Sequence, residues 1–597
     1  VNAHAQTGGR VTSTAPAYLC RRVLDAFLRE DIRSCVSRGR VFSGSETPFA
    51  SSLAPDLLEG LWLRMGDLGL WLAVEPCQFM QDWRVRALPA VWIAGQDAVA
   101  LHSLAEILER FRDGLDEESR SLHAAFAEEC LLAQEHGALC DAERARSFSS
   151  PVEAAADWPA WARSLLRHDR LASFHDHPFY PTARAKLGFS AADLRAYAPE
   201  FQPVFALRWL AVPRALYDGG ELPGDIRPSF ADVGLDEEQG RDRVLLPVHP
   251  ALWDKGLDVF LAESGLASSV VKAPAPRLEV TPTLSVRTVA PLACPAQHIK
   301  LPLAMRTLGA RNLRTIKPST IADGAAMQKI LAAIVADTPE LASRLLLTDE
   351  DVGATVAGQT FLGFILRRYP SSLRDEEVAP VAALAAPAAD GRLVVEELAE
   401  RFYGGDLTAL FDDYLDLTLR LHLTLWVRYG VALESNQQNS LVVFSSTEPL
   451  RLLLKDNDAA RVHGRALSAR RPDLAHRIDA IRDARIIVAD ETPLAQMFIT
   501  ITLQLNIAVL VEALADVGRA DREALYERLS RAVAKVLDRL AAEGDDVALA
   551  RRALLEADRL PLKLLLRAAT LESKAQTGST DVNKFYGATA PNFSRRP

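Results

Sequence analysis

The chain has 597 residues, too many for one hydrophobic core, so two to four domains are expected. A composition of 49% hydrophobic and 24% charged residues is that of a soluble globular protein. The 68 Lys and Arg against 78 Asp and Glu leave a net charge of −10, which argues against a non-specific nucleic-acid binder. The six cysteines are scattered, with no CxxC pair and none beside a histidine, which argues against a zinc site or a disulfide framework.

Residues 1–15 read as a disordered tail. Val1 to Ala17 is polar and lacks the apolar stretch of a signal peptide. Residues 16–149 are expected to form a helical domain, on the three- and four-residue apolar spacing of Ala105–Phe111 and Leu122–Leu139. Residues 150–325, richer in proline and in runs such as Val244-Leu245-Leu246-Pro247-Val248, read as mixed α/β. Residues 326–575 read as mainly helical. A long helix from about Leu407 should end at Gly430, and the runs Leu441–Phe444 and Leu450–Leu454, parted by Ser445-Ser446-Thr447-Glu448-Pro449, predict a β-hairpin. The apolar run Met497–Leu514 contains Thr500, Thr502, Gln504, Asn506 and Glu512, so it reads as a buried core helix and not a membrane span. Residues 576–597 read as a polar, loosely ordered tail. The expected class is α+β and the expected compartment the cytoplasm, with no membrane and no nucleic-acid partner.

No P-loop, GxGxxG or GxSxG motif occurs, so any ATP site must be built from dispersed residues. Four polar concentrations are candidates. In Phe174–Gly188, prolines fix an extended backbone and His177, Arg184 and Lys186 could meet phosphate oxygens; a solvated loop is the alternative. Ser285-Val286-Arg287-Thr288, read as a strand with Ser285 and Arg287 on one face, is followed by Lys300, Thr307, Arg311 and Arg314. These groups suit a triphosphate or a polycarboxylate, unless they form only a basic solvated face. The run Glu434–Asn439 precedes the hairpin and Lys455-Asp456-Asn457-Asp458 follows it, which brings Asn439 and Asp456 close enough to hold magnesium against phosphates. A turn capping its own backbone is the plainer alternative. Lys563 and Arg567, four apart, would share one face of a late helix. Only eleven lysines occur in an arginine-rich chain, and Lys186, Lys300, Lys455 and Lys563 fall in these segments.

Taken in order, these segments resemble the siderophore synthetases that work independently of non-ribosomal peptide synthetases, typified by aerobactin synthetase. The resemblance rests on Asp176–Gly188, Pro247-Val248-His249-Pro250, Ser285–Thr288, Lys300–Leu303 with Thr307–Arg311, Glu434–Asn439, Lys455-Asp456 and Lys563–Arg567. It implies a cupped fold of thumb, fingers and palm, corresponding here to residues 16–149, 150–325 and 326–575, and a homodimer. It also implies ATP- and magnesium-dependent adenylation of a carboxylic acid, citrate or a relative, then condensation with an amine or alcohol. By the same resemblance His177, Arg184, Lys186, Ser285, Arg287, Thr288, Lys300, Gln438, Asn439 and Asp456 would hold ATP. Glu434, Asn439 and Asp456 would hold the metal, and Thr307, Arg311, Asn436, Lys563 and Arg567 the acid. Arg287, Lys300, Arg311 and Asn436 would act in catalysis. The chain departs from the family pattern at Asp176, Tyr180, the exchanged Arg184 and Lys186, Asn436 and Lys455, and its spacing leaves Arg311 and Arg314 as alternatives. A small-molecule kinase and an idle siderophore-binding relative are the competing readings.

Overall fold

The structure is a computed structural model that describes residues 15–149, 155–578 and 585–596. Of the expected N-terminal tail, residues 1–14 lie outside the described residues, and a helix runs over Ala15–Arg29.

Residues 16–149 are not all helical. Between that helix and the helices Leu104–Arg112 and Glu117–Ser149 lies an antiparallel five-stranded meander from Arg40 to Leu101. Its strands, including Leu61–Arg64 and Leu70–Pro76, carry the aromatic and branched residues that suit a pleated, half-buried surface. The tight turn between these two has Gly66 and Gly69 at φ +50° and +67°.

A nine-stranded sheet forms the centre. Along most of its width the order is Asp349–Val356, Gly363–Arg368, Gln297–Lys300, Thr288–Pro291, Arg277–Pro282, Phe205–Pro213 and Arg243–Val248, with every pairing antiparallel. The sheet therefore crosses the boundary expected at residue 325, because strands 349–368 pair with strand 297–300. The predicted hairpin is present as Ser440–Phe444 and Arg451–Leu454, with Ser440 opposite Leu454, inside a four-stranded sheet.

The helix Leu407–Leu423 continues through a π-helical turn, Thr424–Arg428, and ends at Gly430, whose φ of +64° suits glycine. The helix Thr492–Asp516 is long and apolar enough to cross a membrane, but its most apolar window is 94% buried within the protein, as a core helix. Two expectations fail near the C-terminus. The strand Tyr586–Pro591 pairs with Arg559–Lys563, setting Tyr586 opposite Lys563, so this part of the tail is structured. Lys563 thus ends a strand that contains Pro561, which cannot donate within a helix, and Arg567 opens a separate π-helical turn, Arg567–Leu571. They share no helix face.

Candidate active site

The hairpin builds one wall. Asn439 stands just before its first strand and Asp456 just after its second, and the Lys455 amide donates to the Asn439 carbonyl at 3.1 Å. Asp456 adopts φ +56°, a left-handed conformation that Asp tolerates better than most residues, and its amide donates to Glu350 Oε1 at 3.0 Å. The central sheet supplies the facing charges. Lys300 Nζ lies 2.5 Å from Asp456 Oδ1, and Arg367 Nη2 lies 2.7 Å from Asp456 Oδ2. Arg367 also reaches Glu350 through Nε at 2.6 Å. Burial alone would raise the Asp456 carboxyl, but Arg367 and Lys300 outweigh it and hold its pKa well below the usual range.

Asp458 is the opposite case. Its pKa is raised, first by burial, with Lys300 at 3.9 Å opposing and the carboxylates of Asp456, Glu350 and Glu434 adding to the rise. This end of the site is short of positive charge.

The SxRT segment is a turn up to Thr288 and not a strand. Val286 has φ +63°, and Ser285 Oγ accepts the Thr288 amide at 3.1 Å. The turn carries Arg287, which donates to the Thr315 carbonyl at 2.8 Å and feels Asp456 and Asp458; burial lowers its pKa. Arg314 is half-buried near it and donates from Nε to Thr307 Oγ1 at 2.6 Å, with Arg287 and Glu434 as charged neighbours. Arg311 stands apart. Its guanidinium donates to the carbonyls of Ala569 and Glu572, so Arg314, and not Arg311, is the arginine in this cluster.

Across the site, Lys563 Nζ is 3.8 Å from Glu434 Oε1, and Asn439 Nδ2 donates to the Glu434 carbonyl at 2.9 Å. Asn436 Oδ1 accepts the amides of Gln438 and Asn439 at 2.9 and 3.0 Å. Its oxygen therefore caps the local turn, leaving Nδ2 as its group for a ligand. His177 Nδ1 accepts the Tyr180 amide at 3.1 Å; burial first, then Arg22 and Lys563, push the pKa of the ring down to about 3 and keep it neutral.

The remaining sequence candidates are engaged elsewhere. Arg184 pairs with Asp176 at 3.0 Å and Lys186 with Glu200 at 2.9 Å, because cations this deeply placed need compensating carboxylates. Tyr180 is buried, with its hydroxyl donating to Glu129 at 3.0 Å and 2.9 Å from the Thr570 hydroxyl. Arg567 pairs with Glu572 at 2.6 Å, while its amide and that of Leu566 donate to the buried Glu30 carboxylate, both at 2.9 Å. Sequence reading missed Arg367 and Glu350, and gave Asp458 no role within the run Lys455-Asp456-Asn457-Asp458. An arginine pair inside the apolar run Phe361–Tyr369 was the available signal for Arg367.

The donor set around the hairpin is all oxygen, from Glu434, Asp456, Asp458 and Asn439, and suits a hard dication such as magnesium. Among the described residues no group of three or more His, Cys, Asp or Glu is preassembled as a metal cage. Magnesium bound by one or two carboxylates together with substrate phosphates needs no such cage.

Residues 166–386 match the model of the IucA / IucC family, and residues 408–578 that of the ferric iron reductase FhuF-like transporter. Over residues 166–386 the chain is thus similar to the IucA/IucC family. It is 24% identical over 433 residues to staphyloferrin B synthase of Staphylococcus aureus (strain NCTC 8325 / PS 47), covering 67% of this chain and 72% of that protein. Other curated relatives are covered over as little as 49% of their length. The fold matches the petrobactin biosynthesis protein AsbB from Bacillus anthracis str. Sterne, with a TM-score of 0.71 at 17% identity over 98% of this chain and 96% of that one. It also matches ATP-bound aerobactin synthetase IucA from Klebsiella pneumoniae, with a TM-score of 0.65 at 18% identity over 97% and 100%. Relatives of this chain are named synthases and ligases, and the protein is a ligase-class enzyme of siderophore biosynthesis with an α+β fold.

Proposed function

We propose that this enzyme adenylates a small polycarboxylic acid, citrate or a derivative, with ATP and then joins it to an amine or alcohol. One observation carries the reading: Arg287, Lys300, Arg314 and Lys563 surround Glu434, Asp456 and Asp458 at the open end of one hairpin. Cations placed this way suit a triphosphate on one side and a carboxylate on the other. The central sheet and the hairpin would then be fingers and palm, and a homodimer in the cytoplasm is the expected working form.

In the first step a carboxylate oxygen of the acid forms a bond to the α-phosphorus, and the bond from that phosphorus to the β-phosphate bridging oxygen breaks, releasing pyrophosphate. Arg287 and Lys300 hold the phosphates and offset the charge developing on them. Neutral His177 donates from Nε2 to a phosphate oxygen. Magnesium, when bound, neutralises phosphate charge; Asp456 and Asn439 would hold it, with Glu434 or Asp458 beside them. Lys563 and Arg314 orient the acid, with Asn436 Nδ2 donating a neutral hydrogen bond. In the second step the amine nitrogen or alcohol oxygen bonds to the acyl carbon, AMP leaves, and the nucleophile loses its proton to give an amide or ester.

The test is the nucleotide product. Turnover on a panel of di- and tricarboxylic acids with amines should give AMP and pyrophosphate. ADP would favour the kinase reading, for which the Asn439–hairpin–Asp456 arrangement is the supporting feature.

A further inference from the structure

The buried helix Thr492–Asp516 carries amides where packing alone would select apolar residues. Its middle, Phe498–Ala508, is π-helical, and all eleven of these residues are buried. π-helical segments are rare and collect at functional sites. Two further π-helical turns flank the site, Thr424–Arg428 before the Glu434–Asn439 loop and Arg567–Leu571 after Lys563.

Two side chains on the buried segment point to its purpose. Asn506 Nδ2 donates to the Ser435 carbonyl at 2.9 Å, while its Oδ1 accepts the Tyr414 hydroxyl. Ser435 follows Glu434 and precedes Asn436. Gln504 Nε2 donates to the Pro561 carbonyl at 3.1 Å, two residues before Lys563. Gln504 Oε1 is buried with no hydrogen-bond partner among the described residues. An unmade hydrogen bond in an apolar interior is costly, so an amide kept here against that cost implies a task for its other end.

We propose that Asn506 and Gln504 are positioning residues that divide the site between them. Asn506 sets the loop bearing Glu434 and Asn439, on the metal and phosphate side. Gln504 sets the strand bearing Lys563, on the acid side. The kinetic part rests on the adenylation reading above; the structural part does not.

The experiment compares Asn506→Leu with Gln504→Leu in the full chain, with Tyr414→Phe as a control that removes only the other hydrogen bond of Asn506. Hydrogen exchange should quicken about tenfold over residues 434–440 in Asn506→Leu and over 559–564 in Gln504→Leu, each leaving the other segment protected. In pyrophosphate release, Asn506→Leu should raise the magnesium concentration for half-maximal rate about ten- to hundredfold with little change in KM for the acid. Gln504→Leu should raise that KM about tenfold with the magnesium dependence kept. Tyr414→Phe should move neither by more than about threefold. Asn506→Ser replaces Asn506→Leu if the latter does not fold. Both segments exchanging alike in both variants, or neither changing, overturns the inference. Segment-specific exchange with unsplit kinetics overturns the kinetic part and, with it, the assignment of the two sides.

Discussion

Lys300 and Arg367 each hold one oxygen of Asp456, at 2.5 and 2.7 Å, so both oxygens of the carboxylate proposed to meet a metal are ion-paired. On the proposed function, a magnesium–nucleotide at Asp456 would draw Lys300 away from it, with a phosphate oxygen as the new partner. Of the two cations on Asp456, Lys300 is therefore the exchangeable one, while Arg367, fixed also by Glu350, stays. Asp456→Ala should lower turnover by about a hundredfold or more, the usual scale for groups that stabilise developing charge. Lys300→Met should weaken ATP while leaving the Arg367–Asp456 pair intact. Titration of ATP by calorimetry, with the thermal midpoint as a control for folding, checks both.

The arginine assignment is equally open to measurement. Arg314→Ala should lower kcat/KM for the acid by about ten- to hundredfold, because it removes a half-buried, charged hydrogen-bond donor, worth about 1.5–3 kcal/mol. Arg311→Ala should act mainly on stability, because its partners are the carbonyls of Ala569 and Glu572. Arg287→Ala should raise KM for ATP and Lys563→Ala KM for the acid. Steady-state kinetics on the four variants separates these outcomes, and a larger kinetic loss in Arg311→Ala than in Arg314→Ala would reverse the assignment.

How far these features could be read from the sequence differs from residue to residue. The hairpin and the closeness of Asn439 to Asp456 were legible, because two apolar runs and a turn cluster are local signals. The end of the helix at Gly430 was legible for the same reason. The pairing of Arg184 with Asp176 and of Lys186 with Glu200 was not legible, because tertiary packing sets it and motif spacing does not encode it. Lys563 was placed on a helix because Lys563-Leu564-Leu565-Leu566-Arg567 has helical spacing, although Pro561 and the pairing with residues 586–591 make its segment a strand. Partners more than twenty residues away cannot be seen from a periodic pattern.

Asn436 bears on acid preference. With its oxygen engaged by the Gln438 and Asn439 amides, it can offer a ligand only a neutral donor, whereas a histidine can also carry charge. The native enzyme should not clearly prefer citrate over other small polycarboxylates. Asn436→His should shift preference toward citrate, more at pH 6 than at pH 8, since a free imidazole titrates near 6.5. Pyrophosphate release on a matched acid panel at both pH values reads the shift; a strong native citrate preference that the substitution leaves alone would contradict it.

Glu30 predicts a pH-dependent stability. Burial pushes its pKa up from 4.5 to about 7, against the hydrogen bonds from the Arg567 and Leu566 amides. A raised pKa in the folded state means that the native protein binds the proton more tightly than the unfolded chain. The stabilisation is complete below about pH 4.5 and is lost as pH rises through 7, on the order of 3 kcal/mol in all. Glu30→Gln, which cannot ionise, should flatten the fall of the thermal midpoint between pH 5 and 7.5. An unchanged slope would show that Glu30 does not titrate in this range.

The most direct measurement of the central claim is nucleotide analysis of a complete reaction: the protein, ATP, magnesium, a polycarboxylic acid panel and an amine such as a diamine or hydroxylamine. The account predicts AMP and pyrophosphate in equal amounts, formed only with an acid present and nearly abolished by Asp456→Ala. Accumulation of ADP, or AMP formation that Asp456→Ala leaves intact, would contradict it.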